Sequence, residues 1–341
     1  MKTLYYFIVL FTLLSGCKKQ PELHIYTWVD YIDPEFVSQF EQENNCKVII
    51  DSFDSNETMF IKLMSGANGY DICCPTEYYI QVLKNANLIE KLDKSKLGNV
   101  FKNFDKRFLT NSTDRLEWHV PYAFSCTGIL YRKDKFPDAE FKTWDDMFNK
   151  KFNNRVCIMN DIREIIGLAL KQNKYSVNST SINELSVAIN TAKKWKLGSC
   201  KMDNEAYKFG IASGEFNVAM GYNSDANQLI SEMPDEIGFI IPECGTTSSI
   251  DTFVIMKNSK NKELAYKFIN ALYKKENAVK NSEYICAPML INNLTETLNP
   301  NNKNVSFMNI SDEMLNKCEN ILDIGDNLNL YNNSWDEIKN N

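Results

Sequence analysis

The sequence predicts an α/β protein in which parallel sheets are covered by helices. Short β-rich runs alternate with amphipathic helical runs, which is the pattern of parallel strands joined by crossover helices. A chain of 341 residues is long enough for about two domains, and 44% of its residues are apolar, which supplies a substantial core. The predicted strands are 23–27, 47–51, 70–74, 128–132, 156–159, 217–222, 238–241 and 252–256.

The chain begins with a secretory signal. Lys2 precedes an apolar run over 4–14 that is too short to span a membrane. Cys17 directly follows Ser15-Gly16, which resembles a bacterial lipobox and implies that Cys17 is acylated and becomes the mature N-terminus. An ordinary signal with an incidental cysteine is the alternative. We predict a signal peptide over 1–16, a lipidated tether over 17–22, and an extracytoplasmic or periplasmic protein anchored to a cell membrane.

Three helices carry clear signals. Asp33-Pro34 predicts an N-cap followed by proline at the first helical position. Ser181 and Glu184 have the spacing of a capping box, which predicts a helix that ends near Lys196. Between 263 and 274, apolar residues recur at helical spacing.

The net charge and the cysteine content limit the kinds of partner and bound group that we expect. The formal net charge is −6 and the sequence contains no basic cluster, so a nucleic-acid partner is not expected. The nine cysteines beyond Cys17 are scattered and odd in number, and no C-x-x-C pair occurs. We expect buried thiols, with a disulfide or two left open, and neither a metal site nor a cofactor.

The loops after the predicted strands hold the candidate binding residues, because ligands of such sheets lie at the carboxyl ends of strands. Aromatic rings and carboxylates recur there. The candidates are Trp28, Asp30, Tyr31, Thr76, Tyr78, Asp161, Glu164 and Tyr222.

The sequence carries no sign of catalytic machinery. Its two histidines, His24 and His119, lack a neighbouring partner in sequence. No G-x-S-x-G elbow, H-E-x-x-H motif or P-loop occurs. We therefore expect no catalytic residue and no enzyme activity.

An ordered set of motifs resembles the polyamine (spermidine/putrescine) substrate-binding proteins of ABC importers. The set opens with Ile25-Tyr-Thr-Trp-Val-Asp-Tyr-Ile32 and Ser55-Asn-Glu-Thr-Met59. The remaining matches are Lys62-Leu63, Tyr70-Asp71, Pro75, Tyr78-Tyr79, Asp93-Lys-Ser-Lys-Leu97, Asp161, Arg163-Glu164 and Asp251. The similarity extends from about residue 22 to the last helix, and it implies a two-lobed type II periplasmic-binding-protein fold.

The resemblance also implies an organisation and residue roles. Each lobe is a mostly parallel sheet flanked by helices, and two crossings near 125–128 and 245–251 join the lobes. Lobe 1 comprises 23–125 plus 249–292, and lobe 2 comprises 126–248 plus 293–341. The family further implies aromatic cleft walls and carboxylates that bind ammonium groups: Trp28, Tyr31, Tyr78 and Tyr222 as walls, and Asp30, Asp161, Glu164 and Asp251 as carboxylates.

Several of these residues also have purely structural explanations. Asp161 and Glu164 have the spacing of a capping box, and both roles can coexist. Asp30 is compatible with a simple turn residue. Either Tyr78 or Tyr79 is compatible with a core position, and so is Tyr222.

Departures from the family pattern leave the ligand open. Ser249 stands where spermidine-preferring members carry tryptophan, and Ile285 and Ile321 stand near a family tyrosine and glutamine. We expect a monomer that binds putrescine and/or spermidine and delivers it to a membrane permease and its ATPase. The alternatives are a binding protein for another small cationic or neutral solute and, from another class, an enzyme or adhesin on this scaffold.

Overall fold

The computed structural model describes residues 20–109, 116–298 and 310–340. The predicted signal peptide and Cys17 therefore lie outside the described residues. The strands are β1 Glu22–Trp28, β2 Lys47–Phe53, β3 Ile72–Cys73, β4 Val120–Arg132, β5 Val156–Ile158, β6 Lys201–Met202, β7 Val218–Tyr222, β8 Ile237–Ile240, β9 Thr246–Ile255 and β10 Cys318–Asn320.

Helices cover these strands. They are α1 Pro34–Asn44, α2 Asn56–Met64, α3 Ile80–Asn85, α4 Gly98–Asn103, α5 Ile162–Gln172, α6 Ile182–Gly198, α7 Ala206–Ser213, α8 Asn223–Glu232, α9 Lys262–Leu272, α10 Lys275–Ile285, α11 Leu294–Thr297, α12 Asp312–Lys317 and α13 Leu328–Lys339. Short 3-10 turns complete the list at Glu77–Tyr79, Lys94–Lys96, Lys106–Leu109, Trp144–Phe148, Lys150–Phe152 and Gly325–Asn327.

The strands form one continuous sheet with two parallel halves. The order is β2-β1-β3-β9-β4-β7-β5-β6, with β10 beside β9 and β8 beside β4. β1 pairs parallel with both β2 and β3, and β5 pairs parallel with both β6 and β7. We call the half with β1–β3 lobe 1 and the half with β5–β7 lobe 2. The predicted mostly parallel α/β architecture is confirmed.

Two long antiparallel strands join the halves. β4 pairs with β9 from Val120↔Phe253 to Cys126↔Ser248, with one irregularity between Pro121 and Ala123. Both strands extend further toward the hinge than the predicted runs 128–132 and 252–256. The predicted lobe boundaries, 125/126 and 248/249, fall inside these strands and stay a prediction.

Helix starts follow the sequence signals in part. Asp33 caps α1 by accepting a hydrogen bond from the Glu35 amide, as predicted. The predicted capping box of α6 is wrong, although the helix itself is present. Ser181 makes no side-chain capping bond. Its backbone amide donates to the Ser179 hydroxyl, which in turn donates to the Glu184 carboxylate, so Glu184 does not reach back to Ser181.

Buried residues form clusters on both sides of the hinge strands. One includes Phe36, Phe40 and Phe268 of lobe 1, and another includes Trp144 and Trp195 of lobe 2. The nine cysteines of the described ranges are free thiols, five of them buried. Among the helices of those ranges, none is both long enough and apolar enough to cross a membrane.

Candidate functional site

One face of the hinge strands forms the floor between the lobes. Side chains alternate along a strand, so Thr247, Ser249 and Asp251 point to the same face of β9. On β4, Ser125 lies opposite Ser249 and Ala123 opposite Asp251. Thr247 and Asp251 are four residues apart, about 13 Å along the strand. This face carries a carboxylate at its lobe-1 end and hydroxyl groups toward lobe 2.

Asp251 forms the lobe-1 end of the site. Its side chain accepts hydrogen bonds from the Tyr31 hydroxyl at 2.6 Å and the Thr76 hydroxyl at 2.8 Å. Only 8% of Asp251 is exposed. Burial raises the pKa of its carboxyl to about 6, although both hydroxyl donors act in the opposite direction. The sequence-predicted residues Tyr31, Thr76 and Asp251 are therefore one bonded cluster.

Asn56 supports this cluster from the start of α2. Its amide nitrogen donates to the Thr76 hydroxyl and to the Tyr78 hydroxyl, both at 3.1 Å. Its amide oxygen accepts from the Thr76 backbone at 3.0 Å. Tyr79 is buried and its hydroxyl donates to Glu57 at 3.1 Å. Tyr79 is thus the core member of the adjacent pair, and Tyr78 is the member that faces lobe 2.

Glu164 forms the lobe-2 end of the site. One carboxylate oxygen accepts hydrogen bonds from Thr127 of β4 at 2.8 Å and from Thr247 of β9 at 2.5 Å. The residue is 5% exposed. The pKa of its carboxyl is raised to about 7, by burial first and by the neighbouring Asp161 second, against the opposing effect of the threonine hydroxyls.

Asp161 caps α5 beside Glu164. Its carboxylate accepts from the backbone amides of Arg163 at 2.8 Å and Glu164 at 3.0 Å. Burial still raises the pKa of this carboxyl. The N-cap half of the predicted capping box is confirmed, whereas the Glu164 half is wrong, because that side chain turns to Thr127 and Thr247.

Arg163 is a buried cation that the sequence predicts only as part of a matching motif, without a role in the site. It is 3% exposed and donates to the Leu322 carbonyl at 3.0 Å and to the Asn178 side chain at 2.9 Å. Its guanidinium lies 5.0 Å from the Tyr331 ring centre and 5.6 Å from that of Tyr78. Burial raises the pKa of the neighbouring carboxyls of Asp161 and Glu164, and the charge of Arg163 offsets part of that rise. The Arg163-Glu164 match to the family is the sequence signal that points to this position.

Tyr222 ends β7 and lies near the same carboxyls. Its side chain is half-buried, and its backbone amide donates to the Tyr207 hydroxyl at 3.2 Å. Burial, followed by the proximity of Glu164 and Asp161, raises the pKa of its phenol. Tyr222 therefore lies close to the carboxylate cluster and also packs against the lobe-2 core.

The comparisons with known proteins agree with this geometry. Residues 35–289 match the family model described as bacterial extracellular solute-binding protein. The chain belongs to this family. A spermidine/putrescine-binding periplasmic protein of Salmonella typhimurium is 30% identical over 321 residues, which cover 93% of this chain and 91% of that protein.

Solved structures of related binding proteins have the same fold as this chain. The spermidine/putrescine ABC transporter substrate-binding protein of Streptococcus pneumoniae superposes with a TM-score of 0.83 at 28% identity, covering 94% of this chain and 99% of that one. A lipoprotein of Treponema pallidum superposes with a TM-score of 0.84 at 29% identity, covering 93% and 99%. The predicted two-lobed α/β fold of a periplasmic solute-binding protein is confirmed.

Two predicted residues of this solute-binding protein stand apart from the bonded clusters. Trp28 packs its ring against Phe53 at 4.5 Å between centres, and its buried indole nitrogen has no hydrogen-bond partner among the described residues. Asp30 is exposed and has a φ of 52°, a backbone conformation typical of a turn. The structure does not bring Asp30 into contact with the other carboxylates, and its ligand role stays a prediction.

The three departures from the family pattern differ in exposure. Ile285 and Ile321 are buried at 7% and 5% exposure. Ser249 is half-buried on the floor, between the Thr247 and Asp251 positions. The middle of the floor therefore carries only small side chains, Ser125 and Ser249.

The described ranges offer no metal-binding group of three or more His, Cys, Asp or Glu residues. His119 is buried, and its Nε2 atom lies 3.1 Å from the Glu77 carboxylate. It is therefore engaged in a structural contact beneath the Glu77–Tyr79 turn.

Proposed function

We propose that this solute-binding protein captures a polyamine, putrescine and/or spermidine, between its lobes and delivers it to the permease and ATPase of an ABC importer. The observation that carries the proposal is the pair of buried carboxylates, Asp251 and Glu164, held by hydroxyl donors at the two ends of one floor. A linear molecule with an ammonium group at each end matches that spacing.

The chemistry of the walls supports the same ligand class. A charge-assisted hydrogen bond from ammonium to carboxylate contributes roughly 1.5–3 kcal/mol. An aromatic ring facing an ammonium group or its methylenes contributes about 0.5–2 kcal/mol. We assign carboxylate roles to Asp30, Asp161, Glu164 and Asp251, and wall roles to Trp28, Tyr31, Tyr78 and Tyr222, with Thr76 orienting Asp251.

The same carboxylates explain why a bound polyamine should favour closure of the two lobes. Two or more ionised carboxylates that lose water on closure repel each other and are poorly solvated. A bound polycation removes that penalty only when the lobes are closed, so it favours the closed form by differential affinity. The names of the Salmonella and Streptococcus relatives, both spermidine/putrescine-binding, support this ligand class.

We further propose that the mature protein is a lipoprotein attached through Cys17 and that it acts as a monomer without enzyme activity. The Ser15-Gly16-Cys17 sequence supports lipidation, and the Treponema pallidum neighbour is itself a lipoprotein. Mass spectrometry of the mature chain from its native host tests this, because acylation adds a diacylglycerol mass to a chain that begins at Cys17.

Calorimetry tests the proposed ligand. Protein unfolded and refolded to remove carried-over ligand is titrated with putrescine, cadaverine, spermidine, spermine and thiamine. We expect micromolar or tighter binding of putrescine or spermidine, about −8 kcal/mol. Absence of heat with every polyamine, from protein that unfolds cooperatively, would contradict the proposal.

A different small cation is the second candidate. The small side chains at the middle of the floor, Ser125 and Ser249, leave room for a ligand broader than a polyamine chain. Thiamine in the same titration series represents such a cation. Thiamine binding tighter than that of any polyamine would favour this alternative.

A further inference from the structure

The loop of residues 29–33, which follows β1, carries two residues of the proposed site. Asp30 has a φ of 52°, in the left-handed region that residues other than glycine seldom adopt. Such a backbone conformation persists where the surrounding contacts hold it in place. The hydrogen bond from the Tyr31 hydroxyl to Asp251, at 2.6 Å, therefore depends on the contacts that fix this loop.

Asn281 of α10 bonds the loop at two backbone positions. This residue is fully buried, and its side-chain oxygen accepts a hydrogen bond from the Asp33 backbone amide at 2.9 Å. Its side-chain nitrogen donates to the Tyr122 hydroxyl. Tyr122 in turn donates to the backbone carbonyl of Tyr31 at 2.6 Å. A single side chain thus holds one end of the loop directly and its middle through Tyr122.

The direction of each hydrogen bond in this chain follows from the chemistry of its ends. A backbone N–H can only donate, so the Asn281 oxygen faces Asp33 and its NH2 group faces Tyr122. A phenol has one proton and a carbonyl can only accept, so the Tyr122 proton goes to Tyr31. Asparagine supplies the acceptor and the donor that this arrangement needs, and leucine, which has a similar size, supplies neither.

Packing holds the Tyr122 ring independently of its hydroxyl. Tyr122 lies on the hinge strand β4 and is fully buried. Its ring stands edge-on to the Tyr31 ring, with 5.4 Å between the ring centres, and lies 4.4 Å from the ring centre of Phe253. A phenylalanine at position 122 can keep both ring contacts, so the contribution of the hydroxyl can be measured by itself.

We propose that Asn281 is a positioning residue of the ligand site, because it fixes the loop that places the Tyr31 hydroxyl on Asp251. This role rests on the proposed capture of a polyamine at Asp251. A loop that is fixed in advance spares the ligand the cost of ordering it on binding. Asn281 therefore acts on polyamine affinity through Tyr31, without a contact to the ligand of its own.

Calorimetry with polyamine tests this role in Asn281→Leu, which removes both hydrogen bonds of the side chain. We expect affinity to fall about fivefold, because the loop must then be ordered when the ligand binds. Asn277→Leu is the matched control, since Asn277 is also buried on α10 but donates to the Ala271 carbonyl at 2.9 Å. Both variants should lower the midpoint of thermal unfolding, whereas Asn277→Leu should keep the wild-type affinity within about twofold.

A double-mutant cycle distinguishes positioning from a general loss of stability. If Asn281 acts through the Tyr31 hydroxyl, Asn281→Leu should lower affinity less than about twofold in the Tyr31→Phe background. Tyr122→Phe breaks the same chain of hydrogen bonds and keeps the ring. It should weaken polyamine binding about threefold in the wild type, and its effect should also shrink in the Tyr31→Phe background.

The outcomes separate this role from the proposed function. The role would be overturned if folded Asn281→Leu bound polyamine within about twofold of the wild type. Equal losses of affinity in the wild-type and Tyr31→Phe backgrounds would overturn it as well. Should Asn281→Leu fail to fold, Tyr122→Phe decides by the same two criteria. A wild type that binds no polyamine would overturn the proposed function together with this role, and the wild-type titration shows that result by itself.

Discussion

The two ends of the proposed site stabilise a buried carboxylate in different ways. At the lobe-1 end, Asp251 is held by the hydroxyls of Tyr31 and Thr76, and within the described ranges it forms no ion pair. At the lobe-2 end, Glu164 and Asp161 lie beside Arg163, whose charge offsets part of the burial-driven rise in the pKa of both carboxyls. One end is compensated by neutral donors alone, and the other already contains a cation.

This difference predicts that the two ends of the site contribute unequally to the free energy of ligand binding. A carboxylate without a cationic partner gains most from an incoming ammonium group, because its desolvation is otherwise uncompensated. At the lobe-2 end, Arg163 already supplies part of that compensation, so a second cation gains less there. We therefore expect Asp251 to contribute more to polyamine affinity than Glu164 does.

Removing the charge of Asp251 should have the largest effect. Asp251→Asn keeps the size of the side chain but loses a charge-assisted hydrogen bond, and we expect polyamine affinity to fall about 30-fold or more, ~2 kcal/mol. Calorimetry measures the change. Asp235→Asn, at an exposed position of lobe 2, is the matched control and should bind like the wild type. Affinity within twofold of the wild type for Asp251→Asn would remove Asp251 from the site.

Lowering the pH should weaken binding through both ends of the site. Polyamines need ionised carboxylates, whereas burial raises the carboxyl pKa of Asp251 to about 6 and that of Glu164 to about 7. Between pH 8 and 5.5 both groups take up protons that the ligand must displace, so we expect at least about tenfold weaker binding. Calorimetry at several pH values measures this. A polyamine affinity that does not change over that pH interval would contradict the raised carboxyl pKa values of Asp251 and Glu164.

The same groups should shift the stability of the ligand-free protein in the opposite direction. A carboxyl whose pKa is higher in the folded than in the unfolded state binds its proton more tightly when folded. Its contribution to stability is fully present below the unfolded value and is lost as pH rises through about 6 for Asp251 and about 7 for Glu164. Thermal unfolding of the wild type, compared with Asp251→Asn and Glu164→Gln, isolates this contribution between about pH 4 and 8.

Neutralising Glu164 should have a smaller effect than neutralising Asp251. In Glu164→Gln the amide oxygen can still accept from Thr127 and Thr247, and Asp161 remains to receive the ammonium group. We expect about fivefold weaker binding, ~1 kcal/mol. A loss of polyamine affinity larger than that of Asp251→Asn, in the same titration, would mean that the lobe-2 end contributes more to binding than the lobe-1 end.

Much of the fold could be predicted because its signals are local. Short β-rich runs place β1, β2 and β7 within a residue or two, and Asp33-Pro34 marks the start of α1. The hinge strands were predicted too short. Thr246 to Ser249 is rich in hydroxyl groups, and its strand conformation comes from pairing with β4, which no local pattern reveals.

Strand ends predict Tyr31 and Thr76, and the family resemblance predicts Asp251. The hydrogen bonds that join them connect residues 175 and 220 positions apart, which no local pattern reveals. Thr127 and Thr247 became visible as supports of Glu164 only through the register of β4 and β9.

The smallest expected effect concerns the orientation of Asp251. Tyr31→Phe removes one of its two hydroxyl donors while it keeps the ring that stands 5.4 Å from Tyr122. We expect about two- to fivefold weaker polyamine binding, ~0.5–1 kcal/mol, because Thr76 still holds the carboxylate. The pKa of Asp251 should rise further, since a hydrogen bond to its charged form is lost. Binding by Tyr31→Phe should thus weaken at a higher pH than in the wild type. A loss comparable with that of Asp251→Asn would mean that the Tyr31 hydroxyl bonds the ligand directly, and it would move the main contact from the carboxylate to the phenol.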